Sequence, residues 1–231
     1  MTKVYPNAPA PVTATATATA TAAWEKPKSS LVSDGNSVVL TVWKKSLLFN
    51  CDGFTVFDAK GNLVFRVDNY YAGSKGEIVL MDASGKSLLT IRRKRLSLAD
   101  NWLVFDGETA VNPLFSVRKH VNLLNTKSLA HVSSAGCSGN GSGSSWPRNK
   151  NNINAILMYE IEGSYTQRCC AVYDDKRRRV AEIKPKEAVR GVAFGMDVFR
   201  LIIQPEIDSA VAMALVILLD QMFGSSRRFL T

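Results

Sequence analysis

Two short runs of basic residues are the strongest candidates for chemistry in this sequence. The first, Arg92-Arg93-Lys94-Arg95, leaves the end of a predicted strand, and the second, Lys176-Arg177-Arg178-Arg179, spans the tip of a predicted hairpin. Arginine and lysine side chains hold phosphate oxygens through charge-assisted hydrogen bonds. Both runs are therefore candidate binding sites for lipid head groups or other anionic partners.

Strand alternation gives the first run a defined geometry. Leu89 and Ile91 fall on the predicted core face, which puts Thr90, Arg92 and Lys94 on the outward face. Two basic side chains on one face, two residues apart, can converge on a single phosphate. The competing interpretation is that both runs are solvated strand ends that keep the sheet from pairing with other chains. The second run also fits a nuclear import signal.

The size of the electrostatic effect limits what one run can do. Each basic side chain near an anionic leaflet contributes about 1 kcal/mol, so four contribute about 4 kcal/mol. That corresponds to a Kd near millimolar. One run alone would not hold the protein on a membrane, whereas two runs, or one run with a specific pocket, would.

Catalytic motifs are absent from the sequence. It has no G-x-S-x-G, no H-E-x-x-H, and no glycine-rich loop between a strand and a helix. His120 and His131 both flank loop-like sequence, and Cys137 lies in a Gly/Ser-rich stretch that cannot position a nucleophile. We expect surface histidines, an incidental thiol, no cofactor, no metal and no enzymatic activity.

Length, charge and cysteine content limit the classes of protein to which this chain can belong. The chain has 231 residues, 46% of them hydrophobic, which is enough for one domain with a sizeable core. The net charge of +9 favours anionic partners: phospholipid head groups, nucleic acid or acidic protein segments. Its four cysteines form no CxxC pair, which favours reduced thiols in the cytosol or nucleus. We expect a monomer.

Short β-type segments account for most of the chain. They are rich in Val, Ile, Leu and aromatics, and most are bounded by Gly, Asp or Asn. The predicted strands are 37–43, 54–57, 63–67, 77–81, 88–93, 102–105, 114–118, 156–161, 168–173, 180–184 and 198–204.

The predicted turns share a pattern. Segment 56–63 (VFDAKGNL) resembles 80–88 (LMDASGKSL), and 172–177 (VYDDKR) is a looser third copy without the glycine. In each copy an Asp can accept hydrogen bonds from the amides that follow it, and glycine suits the positive φ of a tight hairpin. Repeated hairpins predict an antiparallel meander.

One helix is predicted, over residues 209–223. Asp208 or Ser209 can cap it, Ala210 through Leu219 is apolar on every face, and Gly224 follows its end. About 15 residues span roughly 22 Å, whereas a bilayer core needs about 30 Å. The length therefore favours a helix buried inside a closed barrel of eleven or twelve strands over a membrane anchor.

Biased composition marks the remaining segments. Residues 1–28 are rich in Pro, Thr and Ala, and 133–152 in Gly, Ser and Asn. We expect a disordered arm and a flexible loop inserted in a domain of residues 29–224, followed by a tail at 225–231.

Several motifs together resemble the LURP-one-related family of plant proteins, over about residues 31–223. The motifs are 42–46 (VWKKS), 54–68 (FTVFDAKGNLVFRVD), 81–85 (MDASG) leading to 91–94 (IRRK), 102–107 (WLVFDG), 161–163 (IEG), and 197–199 (DVF) through 204–208 (QPEID). The resemblance implies a tubby-like, twelve-stranded barrel around the C-terminal helix, a fold shared with phospholipid scramblases.

The resemblance implies a regulatory function. Tubby-like proteins are membrane-tethered transcription regulators that hold phosphoinositides through paired basic residues, and LURP-one-related proteins are linked to plant defence. This chain lacks the cysteine-rich cluster of scramblases, which argues against lipid scrambling. We therefore expect a cytoplasmic, membrane-peripheral or nuclear module that binds anionic phospholipid or a protein partner. The alternative is a transcription regulator that binds nucleic acid.

Overall fold

The computed structural model describes residues 35–48, 51–70, 76–94, 100–109, 111–120, 127–134, 157–188 and 194–224. They form twelve strands and one helix. The strands are β1 (Val38–Trp43), β2 (Cys51–Phe57), β3 (Leu63–Tyr70), β4 (Glu77–Asp82), β5 (Ser87–Arg93), β6 (Asn101–Asp106), β7 (Phe115–Lys119), β8 (Ser128–Ser134), β9 (Leu157–Ser164), β10 (Cys169–Asp174), β11 (Arg179–Pro185) and β12 (Val198–Ile203), and the helix is α1 (Ser209–Phe223).

The strands close into a barrel in which each one pairs with its neighbours in sequence, and β1 also pairs with β12. All of these pairs are antiparallel; for example, Val42 of β1 lies opposite Phe199 of β12. Closure leaves no free sheet edge. The predicted antiparallel barrel around one helix is confirmed.

Strand β8 is the element that the sequence patterns did not predict. Its inward positions are Ser128, Ala130 and Val132. Small side chains at these positions give only a weak alternating hydrophobic signal. The predicted loop 133–152 began two residues too early, since Ser133 and Ser134 end β8. Its remainder, the arm 1–28 and the tail 225–231 lie outside the described residues.

The three predicted hairpins share one turn geometry. Oδ1 of each Asp accepts two backbone amides: Asp58 from residues 60 and 62, Asp82 from 84 and 86, and Asp174 from 176 and 178, at 2.8–3.0 Å. The fourth turn residue has positive φ, and it is glycine in the first two turns. In the third it is Arg177, at φ 60°. The third copy therefore keeps the turn without the glycine, at some cost in backbone strain.

Helix α1 lies inside the barrel and is buried from Ser209 through Asp220. The side chain of Asp208 caps its start, accepting hydrogen bonds from the amides of Ala210 and Val211 at 2.8 and 3.1 Å. Gly224 follows the helix at φ −65°, outside the left-handed region. A side chain there would collide with the Asp220 carbonyl, because an added Cβ would lie 2.4 Å from that oxygen.

Fifteen helical residues span about 22 Å. Strands of five to eight residues span about 17–26 Å, so α1 fills the lumen from end to end. Among the described residues, no helix combines the length and the hydropathy that crossing a membrane requires.

Candidate functional site

The barrel has two rims, and each basic run belongs to one of them. We call the end where α1 begins the N-rim and the end where it finishes the C-rim. Odd-numbered strands run from the N-rim to the C-rim, since the order is antiparallel throughout. Lys119, at the end of β7, donates to the carbonyl of Met222 at 3.1 Å, which fixes the C-rim beside the end of the helix. Arg92–Lys94 therefore lies at the C-rim and 176–179 at the N-rim.

At the C-rim, the first run divides between paired and free side chains. Arg92 contacts the carboxylate of Glu77 at 2.8 Å, and Arg93 contacts that of Asp100 at 2.7 Å. Lys94 is exposed, and no described carboxylate pairs with it. Arg95 lies outside the described residues.

The predicted alternation of β5 agrees with the structure, with one addition. Leu89 and Ile91 are fully buried in the core. Thr90 is on the outer face but is also fully buried, and its hydroxyl donates to the carbonyl of Gly107. Arg92 lies over the ring of Phe105, 5.7 Å from its centroid. Arg92 is therefore held against the barrel wall, and binding a phosphate would require it to leave Glu77.

At the N-rim, the second run is largely neutralised. Arg177 bridges Glu160 and Glu162 on β9 at 2.7 and 2.8 Å. Arg178 pairs with Asp174 at 2.7 Å. The remaining arginine, Arg179, pairs with Glu182 at 3.2 Å, and of the four only the Lys176 side chain has no carboxylate partner in the described part of the chain.

The wider charge pattern differs between the rims. Among the described residues of the N-rim, carboxylates outnumber cations: Asp58, Asp82, Asp106, Glu108, Asp174, Asp175, Glu206 and Asp208 against Lys60, Lys86, Lys176, Arg177, Arg178 and Arg179. Several cations of the C-rim have no ion pair with a described carboxylate: Lys45, Lys94, Arg118, Lys119, Lys127 and Lys186. The unpaired positive charge of the described barrel is therefore concentrated at the C-rim.

A buried polar cluster, which sequence reasoning missed, underlies the C-rim. Asp220, inside the helix, pairs with Lys44 at 3.0 Å and accepts a hydrogen bond from the Tyr165 hydroxyl at 3.2 Å. Burial is the main cause that raises the pKa of Tyr165 far above its usual range, and the negative charge of Asp220 is the second. Asp220 was the available signal, because it is the one charge within the apolar helix.

Arg168 is a buried cation in the same region, 6% exposed. Its guanidinium lies 4.2 Å from the ring centroid of Tyr165 and 4.5 Å from that of Phe199. Its Nε donates to the carbonyl of Met196 at 2.8 Å. Stacking on two rings and bonding to a carbonyl stabilise this buried charge and tie the loop before β12 to the barrel end.

The histidines are not the isolated surface groups that we expected. Nε2 of His131 lies 3.1 Å from Nδ1 of His120, and the hydroxyl of Ser128 is 3.3 Å from the same Nε2. Both rings are half-buried, and the short distance requires one nitrogen to donate and the other to accept. Cys137 lies outside the described residues. No group of three or more His, Cys, Asp or Glu side chains in the described ranges is arranged to hold a metal ion.

The described thiols do not form a nucleophilic site. Cys169 and Cys170 form no disulfide with a described residue. Cys169 is exposed and Cys170 is buried. Burial is the main cause that raises the pKa of Cys170 to about 12, and the neighbouring Cys169 is the second. The Cys170 thiol is therefore protonated at neutral pH.

Comparisons with known proteins agree with this architecture. The family model LURP-one-related matches residues 38–220. The protein LURP-one-related 8 of Arabidopsis thaliana is 50% identical over 230 residues, covering 98% of this chain and 100% of that protein. LURP-one-related 17 of the same plant is 43% identical, covering 82% of this chain and 85% of its own.

A solved structure is similar in fold. It is an X-ray structure of a protein from Arabidopsis thaliana with a TM-score of 0.56 and 22% sequence identity. The match covers 81% of this chain and 91% of that one. Family model, sequence relatives and barrel agree, and the chain belongs to the LURP-one-related family.

Proposed function

We propose that this chain is a non-enzymatic regulatory module whose C-rim binds anionic phospholipid head groups. The observation that supports the proposal is the concentration of unpaired cations at that rim. Lys94, Arg118 and Lys127 are exposed there and make no ion pair with a described carboxylate. Exposed cations at one end of a barrel can face a flat anionic surface together.

The charge at the C-rim makes such binding measurable. Six cations at about 1 kcal/mol each give at most about 6 kcal/mol, which corresponds to a Kd of tens of micromolar. The run at 176–179 adds nothing to this attachment, because it lies at the opposite rim, about 20 Å away. The two runs therefore cannot contact one flat bilayer at the same time.

The state of two described nucleophiles, Cys170 and Ser128, supports the non-enzymatic part of the proposal. The Cys170 thiol is protonated at neutral pH because burial raises its pKa to about 12. Ser128 contacts His131 but is only 6% exposed, which keeps its hydroxyl away from a substrate.

Vesicle co-sedimentation tests the proposal. The protein is mixed with vesicles of phosphatidylcholine alone, with added phosphatidylserine, or with a phosphoinositide at equal total charge, over a series of salt concentrations. Binding should require anionic lipid and weaken steeply as salt rises, because screening acts on exposed charges. Preference for a phosphoinositide at equal charge would indicate a specific head-group pocket.

A pair of matched triple variants locates the site. Replacing Lys94, Arg118 and Lys127 with Gln should weaken binding by about a hundredfold, from the loss of about 3 kcal/mol. Replacing the N-rim residues Lys60, Lys86 and Lys176 with Gln removes the same charge and should change the Kd less than about threefold. Absence of vesicle binding together with tight, salt-sensitive DNA binding would favour the nucleic-acid alternative.

A further inference from the structure

Exposed large hydrophobic side chains gather at one place on the described surface. Five of the six such residues lie at the C-rim: one ends β1, two lie on the loop that follows it, and two lie on the loop that joins β11 to β12. These five residues, which we call the apolar tip, are Trp43 (39% exposed), Leu47 (52%), Leu48 (38%), Phe194 (38%) and Met196 (48%). The sixth, Val111, is alone between β6 and β7 at the N-rim. Contiguous exposed apolar side chains mark an interaction surface, whereas single ones do not.

Backbone hydrogen bonds join the two loops into one surface. The amide of Lys44 donates to the carbonyl of Asp197 at 2.7 Å, and Trp43 lies opposite Val198 in the β1–β12 ladder. The buried Arg168 holds the carbonyl of Met196 at 2.8 Å. The apolar tip is therefore continuous across both loops.

The loop after β1 is fixed from within. The hydroxyl of Thr55 donates to the carbonyl of Lys45 at 2.6 Å, and the hydroxyl of Ser46 donates to Asp68 at 2.5 Å. The amide of Leu48 in turn donates to Oγ of Ser46 at 3.0 Å. These bonds hold residues 45–48 in place and present Leu47 and Leu48 outward without burying them.

Lysines accompany the aromatic members of the apolar tip. The ammonium of Lys45 lies 5.2 Å from the ring centroid of Trp43, and that of Lys186 lies 5.4 Å from the ring centroid of Phe194. Aromatic rings at a bilayer sit at the level of the head groups, and lysines beside them extend their ammonium groups to the phosphates. The apolar tip therefore combines aromatic rings with adjacent lysines, the two kinds of side chain that bind at a bilayer interface.

We infer that the apolar tip inserts into the boundary between head groups and acyl chains of an anionic bilayer, with Lys45 and Lys186 on lipid phosphates. This inference rests on the proposed function and adds an apolar component to it. Interfacial attachment needs both apolar burial and electrostatic attraction to hold firmly. The cations of the C-rim supply attraction that salt weakens, and the apolar tip supplies attachment that salt does not.

Other occupants fit the apolar tip less well. Two copies meeting tip to tip would bring Lys45 and Lys186 of each copy against those of the other, and like charges repel. Nucleic acid could stack on Trp43, but it offers no apolar surface for Leu47 and Met196. An anionic bilayer can bind the aromatic and aliphatic side chains of the apolar tip and the adjacent lysines at the same time.

The first test separates the apolar from the electrostatic component in the full chain. Leu47 and Met196 are both replaced with Ser, and Val111→Ser serves as the matched control at the N-rim. On vesicles of phosphatidylcholine and phosphatidylserine, the double variant should bind about thirtyfold more weakly. Wild type should keep part of its binding at about 0.5 M salt, where exposed charges are screened, and the double variant should lose it. Thermal unfolding checks that both variants fold.

The second test measures insertion directly. The parent protein for this test carries Trp24→Phe and Trp146→Phe, which leaves Trp43 and Trp102 as its tryptophans. Vesicles that contain brominated acyl chains should quench the fluorescence of this parent, and adding Trp43→Phe should abolish that quenching, because Trp102 is buried in the barrel. Equal vesicle binding by wild type and Leu47→Ser/Met196→Ser, with no quenching, would overturn insertion and leave the head-group proposal standing. No binding to any anionic vesicle would overturn both; a concentration-dependent dimer that the double variant lacks would then assign the apolar tip to a second copy of this chain.

Discussion

At the N-rim, arginines bridge to carboxylates on their own turn and on neighbouring strands, whereas at the C-rim several cations face solvent or stack on aromatic rings. Arg177 illustrates the first case, with Glu160 and Glu162 at 2.7 and 2.8 Å. Lys45 over Trp43, at 5.2 Å from the ring centroid, illustrates the second. A basic side chain is therefore a candidate for binding an anion only where the neighbouring strands leave it without a described carboxylate, as they leave Lys94 but not Arg92.

The helix connects the two rims, and removing it should cause the largest loss of stability. A chain that ends at Glu206 would leave an apolar lumen open to water, because all twelve positions from Ser209 through Asp220 are buried. The loss exceeds the whole stability of a typical domain, about 5–15 kcal/mol. We expect no cooperative unfolding transition by circular dichroism. A monomeric, cooperatively folding product would show that the barrel does not need the helix.

The two ends of the helix offer a second test of the comparison. At the C-rim, Asp220→Ala leaves Lys44 without its carboxylate and the Tyr165 hydroxyl without its acceptor. We expect a loss of about 3 kcal/mol, at the lower end for a broken buried ion pair since Lys44 is partly exposed. At the N-rim, Asp208→Ala removes the helix cap and should cost about 1 kcal/mol. Urea unfolding measures both, and equal losses would contradict the difference between the rims.

The N-rim turns provide a smaller and more local test. Gly61 has φ +86°, and an added Cβ would meet no atom within 4 Å, so Gly61→Ala costs only backbone strain. We expect a loss of about 1 kcal/mol in unfolding free energy. Arg177 occupies the same turn position in the third hairpin. Arg177→Gly relieves backbone strain but removes exposed ion pairs, so the free energy of unfolding should change by less than about 1 kcal/mol. A large loss from Arg177→Gly would show that its bridge to β9 contributes more than its exposure implies.

The pH dependence of stability should reflect the N-rim turns. The Asn62 side chain and backbone amides hydrogen-bond Asp58 and hold its pKa below the usual 3.8, and the Ser84 hydroxyl does the same for Asp82. A lowered folded-state pKa stabilises the fold above the unfolded-state value, and this contribution is lost as pH falls through the folded-state pKa. Unfolding free energy should therefore decline below pH 3.8.

Replacing Asp58 and Asp82 with Asn tests the assignment of this decline. The double variant should be less stable at neutral pH and should lose less stability on acidification, because it has two fewer carboxylates to protonate. Lys60→Gln, which removes a neighbouring exposed charge, should leave the acid decline of the wild type intact. An unchanged decline in the double variant would place its origin elsewhere in the chain.

The sequence by itself determined the fold class, eleven of the twelve strands and the helix at 209–223, and it narrowed the cap of that helix to Asp208 or Ser209. These features depend on local patterns: alternation in strands, an all-round apolar run, and Asp followed by glycine in turns. The same local logic failed for β8, because its buried positions are Ser128, Ala130 and Val132. Small and polar residues there conceal the alternation.

Only the tertiary structure decided where the basic runs lie and which of their charges remain free. In an antiparallel meander each strand reverses direction, so the rim that a hairpin occupies depends on how many strands precede it. Without β8, the count would place both runs on one rim; with β8, they lie on opposite rims. The partners of Arg92 and Arg177 are likewise set by strand register across the barrel, a non-local property that sequence spacing does not encode.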